Sequence, residues 1–247
     1  MSRHTLSVGG VDLTATYGLY VDTAMSYNKP AKNVETISIP GRNGDLVIDY
    51  DTFKNVVITY PCFMKGNFDE DFWRLMSALA GMKGYQQIIC SNDPNRYREG
   101  VPIIQQNPKV KRLNKDGYFD LLFNCKPQRY EYPQTWEEIT GSQIYSGSPL
   151  TFRPIFKVTG SGTITVAVTH QGEQNPYKTY TITVTSNTGV LYIDCESMEC
   201  YKDSRTFANN LVTLSPNEYP VFEQGSRQIV STSGFTKVEI NERLWYL

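Results

Sequence analysis

Thr163-Ile164-Thr165-Val166-Ala167-Val168 and Thr179-Tyr180-Thr181-Ile182-Thr183-Val184 alternate threonine or a small residue with an aliphatic or aromatic one. Successive side chains of a strand point to opposite faces, so each run reads as a strand with one apolar face. Gly160-Ser161-Gly162 and Ser186-Asn187-Thr188-Gly189 punctuate them as turns. Short strands recurring every ten or so residues, with no helical period between them, predict a β-sandwich. Upstream, residues 128–154 carry Pro133, Gly141, Gly147, Pro149 and Pro154 with little apolar periodicity. A domain boundary is expected there, giving residues 1–132 and 133–247.

The first part also reads as mainly β. Ile37-Ser38-Ile39 and Leu46-Val47-Ile48 flank Pro40-Gly41-Arg42-Asn43-Gly44-Asp45, where Asn43-Gly44 predicts a type I′ hairpin turn. A strand over Asn55–Tyr60 should stop at Pro61, and one over Tyr118–Cys125 at Pro127. Val110–Leu113 and Tyr118–Cys125 flank a second hairpin signal, Asn114-Lys115-Asp116-Gly117. One helix is expected, over about 67–82, because Phe68, Phe72, Leu75, Met76 and Leu79 fall on one face of a 3.6-residue period. Asn67 is placed to cap it, Gly81 and Gly84 to end it, and Asp69-Glu70-Asp71 to meet its positive dipole end rather than a metal. The fold class is therefore mainly β: an N-terminal β-sandwich-like domain with one α-helix and hairpins, then a C-terminal sandwich.

Composition narrows function. The 247 residues carry 24 Lys plus Arg and 25 Asp plus Glu, a formal net charge of -1. That balance speaks against a dedicated nucleic-acid binder. No apolar run is long enough for a membrane span, and the first ten residues lack the apolar core of a secretion signal. Two histidines, His4 and His170, leave little material for acid–base or zinc chemistry, and no cofactor, metal or catalytic residue is expected. Five cysteines without a secretion signal read as reduced, mostly buried thiols. If residues 196–199 form a turn, Cys195 and Cys200 face each other across a hairpin, and their later oxidation stays open. Paired carboxylates such as Glu137-Glu138, or Asp194 with Glu196 and Glu199, form a minor glycosidase hypothesis.

The order of these features resembles the distal tail proteins of long-tailed, non-contractile bacteriophages. Ile-Pro-Gly-Arg-Asn-Gly (39–44), the helix, Phe-Asp-Leu-Leu-Phe-Asn-Cys-Lys-Pro-Gln-Arg-Tyr (119–130), Leu-Tyr-Ile-Asp (191–194), Gly-Ser-Arg-Gln-Ile (225–229) and Val-Glu-Ile (238–240) carry the resemblance. It implies a homo-hexameric ring at the virion tail tip, made in the bacterial host cytoplasm, with a galectin-like C-terminal sandwich. It implies as partners the tail tube protein, a tail-associated lysin or hub protein, and receptor-binding or baseplate proteins, with DNA passing through the lumen and no membrane contact. The galectin sugar-binding signature is not matched by His170 or Asn175-Pro176. A carbohydrate-binding module for host cell walls is the alternative. Two turns are the candidate ring contacts: Arg42, Asn43, Gly44 and Asp45 on one, and Lys109, Lys111, Arg112, Lys115 and Tyr118 on the other. The basic run reads equally as a charged edge that blocks unwanted strand pairing.

Overall fold

A computed structural model describes residues 3–22, 28–104, 111–113, 115–146, 150–202 and 206–247. The chain divides into two compact units, Met1–Tyr132 with Leu247, and Pro133–Tyr246.

In the first unit, β1 (Leu6–Val8) and β2 (Val11–Asp12) form a small hairpin. A five-residue helix, α1 (Leu13–Tyr17), adds to the single helix expected and leads into β3 (Leu19–Val21). Asp12 caps α1 by accepting from the Thr14 and Ala15 amides, a signal too short for periodicity to reveal. Among the described residues, β4 (Lys32–Ile37) and β5 (Leu46–Phe53) pair only with each other. β6 (Val56–Met64), α2 (Phe68–Ala80), β7 (Gln86–Cys90), β8 (Arg96–Ile103), β9 (Lys111–Leu113) and β10 (Asp116–Glu131) complete the unit. The main antiparallel sheet runs β2-β1-β7-β8-β10-β6-β3, with β9 added to β10. It curls until its ends meet: His4 and Val21 exchange both backbone hydrogen bonds, at 3.0 and 2.8 Å. Leu6, Leu19, Ile58, Met64, Phe123 and Cys125 fill the interior.

Both prolines expected to end strands lie inside them. Pro61 sits opposite Asp120 in the β6–β10 ladder, and its carbonyl accepts from the Asp22 amide at 2.8 Å. Carbonyl and nitrogen of a strand residue point to the same neighbour, so the missing N–H faces the tail of β3, where the ladder is already ending. β10 runs past Pro127 to Glu131 because its pairing with β6 stops at Cys125 and its register with β8 shifts between Cys125 and Arg129. That irregularity absorbs the absent donor.

α2 presents the expected face: Phe68, Phe72, Leu75 and Leu79 are buried and Met76 packs against the core. Asp69, Glu70 and Asp71 occupy its first turn. Asn67 does not cap through its side chain, which donates to Glu70 at 2.7 Å; the Phe68 amide instead donates to the Lys115 carbonyl at 3.1 Å. At the other end Gly81 keeps a right-handed conformation, and the left-handed residue is Gly84 at φ 69°. Phe72 meets Phe119 edge to face at 5.0 Å and Phe68 stacks on Phe72 at 5.2 Å. A Cβ on Gly117 would lie 2.3 Å from the Phe68 ring. Gly117→Ala is expected to push Phe68 out of this cluster and destabilise the first unit by about 1–3 kcal/mol, read as a lower urea midpoint.

The second unit is a sandwich of two five-stranded antiparallel sheets. Its strands are β11 (Glu137–Glu138), β12 (Ser142–Ser146), β13 (Ile155–Thr159), β14 (Gly162–Thr169) and β15 (Lys178–Val184). β16 (Val190–Asp194), β17 (Glu199–Lys202), β18 (Val212–Ser215), β19 (Arg227–Ser233) and β20 (Lys237–Asn241) follow. The sheet orders are β11-β20-β13-β16-β17 and β12-β19-β14-β15-β18. In β14 and β15, Ile164 pairs with Ile182 and Val166 with Tyr180, all buried, while Thr163 and Thr165 meet Thr183 and Thr181 on the other face. The alternation that predicts the sandwich is thus its inner and outer surface.

Candidate assembly surfaces

The β4–β5 arm contributes no buried residue to the first unit's core. Ile37 pairs with Leu46, Thr36 with Val47 and Glu35 with Ile48. Cross-strand partners share a face, so Ile37, Leu46, Ile48 and Tyr50 form one side of the arm. None of its residues is buried, and Val34, Ile37, Leu46, Val47 (60% exposed) and Tyr50 (50% exposed) stand open to solvent. Polar contacts hold it: Lys32 to Asp49, Tyr50 to Glu35 at 2.7 Å, and the Lys54 amide to the Ala31 carbonyl at 2.8 Å. These are solvent-exposed contacts of small net value. A lone two-stranded hairpin is marginal in water, and contiguous exposed apolar side chains mark an interaction surface.

Arg42, Asn43, Gly44 and Asp45 lie at the tip of this arm, all exposed. The connection is an eight-residue loop, 38–45, rather than the two-residue turn expected of Asn43-Gly44. Its left-handed residues are Gly41 (φ 81°) and Gly44 (φ 84°), so the type I′ requirement for two adjacent positive φ angles is not met.

At the second turn Leu113 pairs with Asp116, so β9 and β10 flank the expected Asn114–Gly117 hairpin signal. Lys109 and Asn114 fall outside the described residues. Lys111 and Lys115 are exposed, and Arg112 sits opposite Gly117 in the ladder. Tyr118, opposite Lys111, packs its ring 4.8 Å from Phe63, which Arg3 covers at 4.7 Å. Sequence reasoning missed Arg3, Tyr20 and Phe63 here, because cross-strand neighbours on the outer face are set by register.

The candidate carboxylates of the second unit lie in two different settings. Glu137 and Glu138 are exposed on β11. Asp194 is buried and accepts from the Glu196 and Ser197 amides and from the Arg243 guanidinium, at 2.9, 3.2 and 2.9 Å. Arg243 also meets Glu196 at 3.1 Å, so this is a charge-paired turn rather than a general acid and base. His170 stacks on Tyr177 at 4.3 Å. Cys195 and Cys200 do not face each other: Asp194 pairs with Glu199 and Ile193 with Cys200, so the turn is 195–198. None of the five cysteines is in a disulfide, and all are buried. Burial pushes every one of these thiols up, Cys125 to about 12, which removes thiolate nucleophiles at neutral pH. Among the described residues no group of three or more His, Cys, Asp or Glu could hold a metal ion. No described helix is long and apolar enough to cross a membrane.

No family model matches the chain, and no curated protein matches it in sequence. Solved structures do. The Dit protein of phage SPP1, described as a paradigm of the hub adsorption apparatus in phages that infect Gram-positive bacteria, is 14% identical with a TM-score of 0.67. That similarity covers 99% of both chains. A chain of the phage P2 baseplate in its activated conformation with calcium is 11% identical, with a TM-score of 0.54 and 99% of each chain covered. The same baseplate with strontium gives 10% identity, a TM-score of 0.53 and 98% coverage. At these identities the match is one of fold, and it spans both units: the chain carries the fold of a phage distal tail protein from end to end.

Proposed function

We propose that the chain is a structural, non-enzymatic component of a bacteriophage tail tip, a distal tail protein that forms a homo-hexameric ring. In this reading the first unit builds the ring between the tail tube protein and a tail-associated lysin or hub protein. The second unit, galectin-like, projects as a platform for receptor-binding or baseplate proteins, and DNA crosses the lumen without specific binding. The observation that carries it is the β4–β5 arm, in which Val34, Ile37, Leu46, Val47 and Tyr50 are exposed and no described residue is buried. A cyclic assembly needs a heterologous contact, in which one surface of each copy meets a different surface of the next, and a projecting hairpin supplies such a surface. The end-to-end likeness to phage baseplate chains supports the same assignment. A near-neutral chain suits a conduit for DNA, since phosphate binding would hold the passing polymer.

Light scattering and negative-stain electron microscopy of the full chain, alone and mixed with the adjacent tail proteins, test this. Sixfold annular particles with a central opening are expected. A species that stays monomeric at every concentration and in every mixture would overturn the assignment.

A further inference from the structure

Inside the curled sheet of the first unit, where β7, β8 and β10 approach their ends near the Asn92–Asp93 turn, lies a cavity of about 50 Å³. Its floor is apolar, with Ile58, Tyr60 and Ile88, but its lining also carries three guanidinium groups, Arg96, Arg98 and Arg129, against one carboxylate, Asp93. That carboxylate is shared and distant: Arg96 Nη1 lies 3.7 Å from it and Arg129 Nη1 3.9 Å, both beyond hydrogen-bond reach. Arg129 also donates to the Leu247 carbonyl.

Arg98 is the anomaly. It stands opposite Ile88 on the β7–β8 ladder and is half-buried, with neither an ion pair nor a hydrogen bond among the described residues. Its Nη1 is fully enclosed and has no acceptor. A guanidinium taken out of water costs several kcal/mol unless paired; Tyr60 and Cys125 beside it are neutral at physiological pH, Arg129 opposes its charge, and Asp93, which also faces Arg96 and Arg129, favours the charge without forming an ion pair with it. The volume left beside it suits one small oxyanion, and a planar fork of donors matches carboxylate or phosphate geometry.

We propose that this cavity is a receptor for a small oxyanion, a carboxylate or a phosphate group, gripped by Arg98 with Arg96 and Arg129 around it. The site is independent of ring formation, because every lining residue belongs to one copy of the first unit.

Thermal unfolding of the full chain in sodium phosphate or sodium acetate, against sodium chloride at equal ionic strength, tests it. About 50 mM of the fitting anion should raise the first unit's melting temperature by about 3 °C or more. Arg98→Met should remove that rise while leaving the protein at least as stable in chloride, since an unpaired buried charge is lost. A rise with phosphate alone marks a phosphate site, and one with acetate alone marks a site for a carboxylate side chain or terminus. No rise with either anion, or an equal rise in Arg98→Met, overturns the proposal. Should Arg98→Met not fold, phenylglyoxal labelling of the unsubstituted protein decides. The anion should slow modification of Arg98 at least threefold and leave exposed Arg42 unchanged, and equal rates at Arg98 with and without anion would refute the site.

Discussion

In the proposed ring, Leu46→Asp is expected to abolish assembly while leaving each copy folded. Leu46 lies on the arm face shared with Ile37, Ile48 and Tyr50, and it is already exposed within the single chain. Placing a charge there therefore costs the isolated fold little, within about 0.5 kcal/mol. At a packed interface the same charge would be buried without a partner, and central apolar anchors of this kind carry about 2 kcal/mol or more each. That is about thirtyfold per contact, repeated at every interface of a closed ring. Size-exclusion chromatography with light scattering should show monomers at concentrations where the unsubstituted chain forms rings, with an unchanged urea midpoint. Retained rings would show that this face of the arm is not the contact.

The second large effect is expected in the other unit. Arg243→Ala should destabilise the C-terminal sandwich by about 3 kcal/mol. Arg243 and Asp194 are only 12% and 8% exposed at their side chains, and the guanidinium reaches both oxygens of the carboxylate, at 2.9 and 3.2 Å. Removing the cation strands a buried carboxylate that also holds the 195–198 turn through two amides. Arg243 further sits at φ 55°, a left-handed conformation that only glycine adopts freely. Arg243→Gly should therefore cost about 1 kcal/mol less than Arg243→Ala, although glycine is the smaller residue. Guanidinium chloride unfolding of the two variants checks the order, and equal losses would mean that the backbone there is not strained.

Why some of this was legible in the sequence and some was not follows from the forces involved. The sandwich strands and α2 are set by which side chains must leave water, and apolar periodicity records that directly: Ile164, Val166, Phe72 and Leu75 all lie where it puts them. Prolines mislead because their effect depends on which way the missing N–H points, and Pro61 and Pro127 point it where no ladder needs it. The Asn43-Gly44 pair misleads for a related reason. Nothing packs against the arm tip, so a longer loop with glycines at 41 and 44 turns the chain without the tight geometry. The closure through His4 and Val21 uses backbone atoms only, and side-chain pattern carries no trace of it. The arginines at 96, 98 and 129 are separated by up to 33 positions and meet because β8 and β10 pair in register, Arg98 opposite Arg129. The arm itself was found as a hairpin, but the exposure of its apolar residues is visible only once the core is known to lie elsewhere.

The joining of His4 to Val21 has a consequence for how copies can accumulate. An open β-sheet offers its outermost strand to any other outermost strand, and such meetings propagate without limit into fibrils. Here, among the described residues, the margins of the first unit's main sheet meet each other, leaving the two-residue β2 and the three-residue β9 as stubs, with the β4–β5 hairpin as a separate sheet. A protein present in many copies in a crowded cell is thereby kept from pairing at random through this sheet. In the proposed ring, the β4–β5 hairpin is a handle of fixed size, and growth that proceeds through it ends when the circle is full.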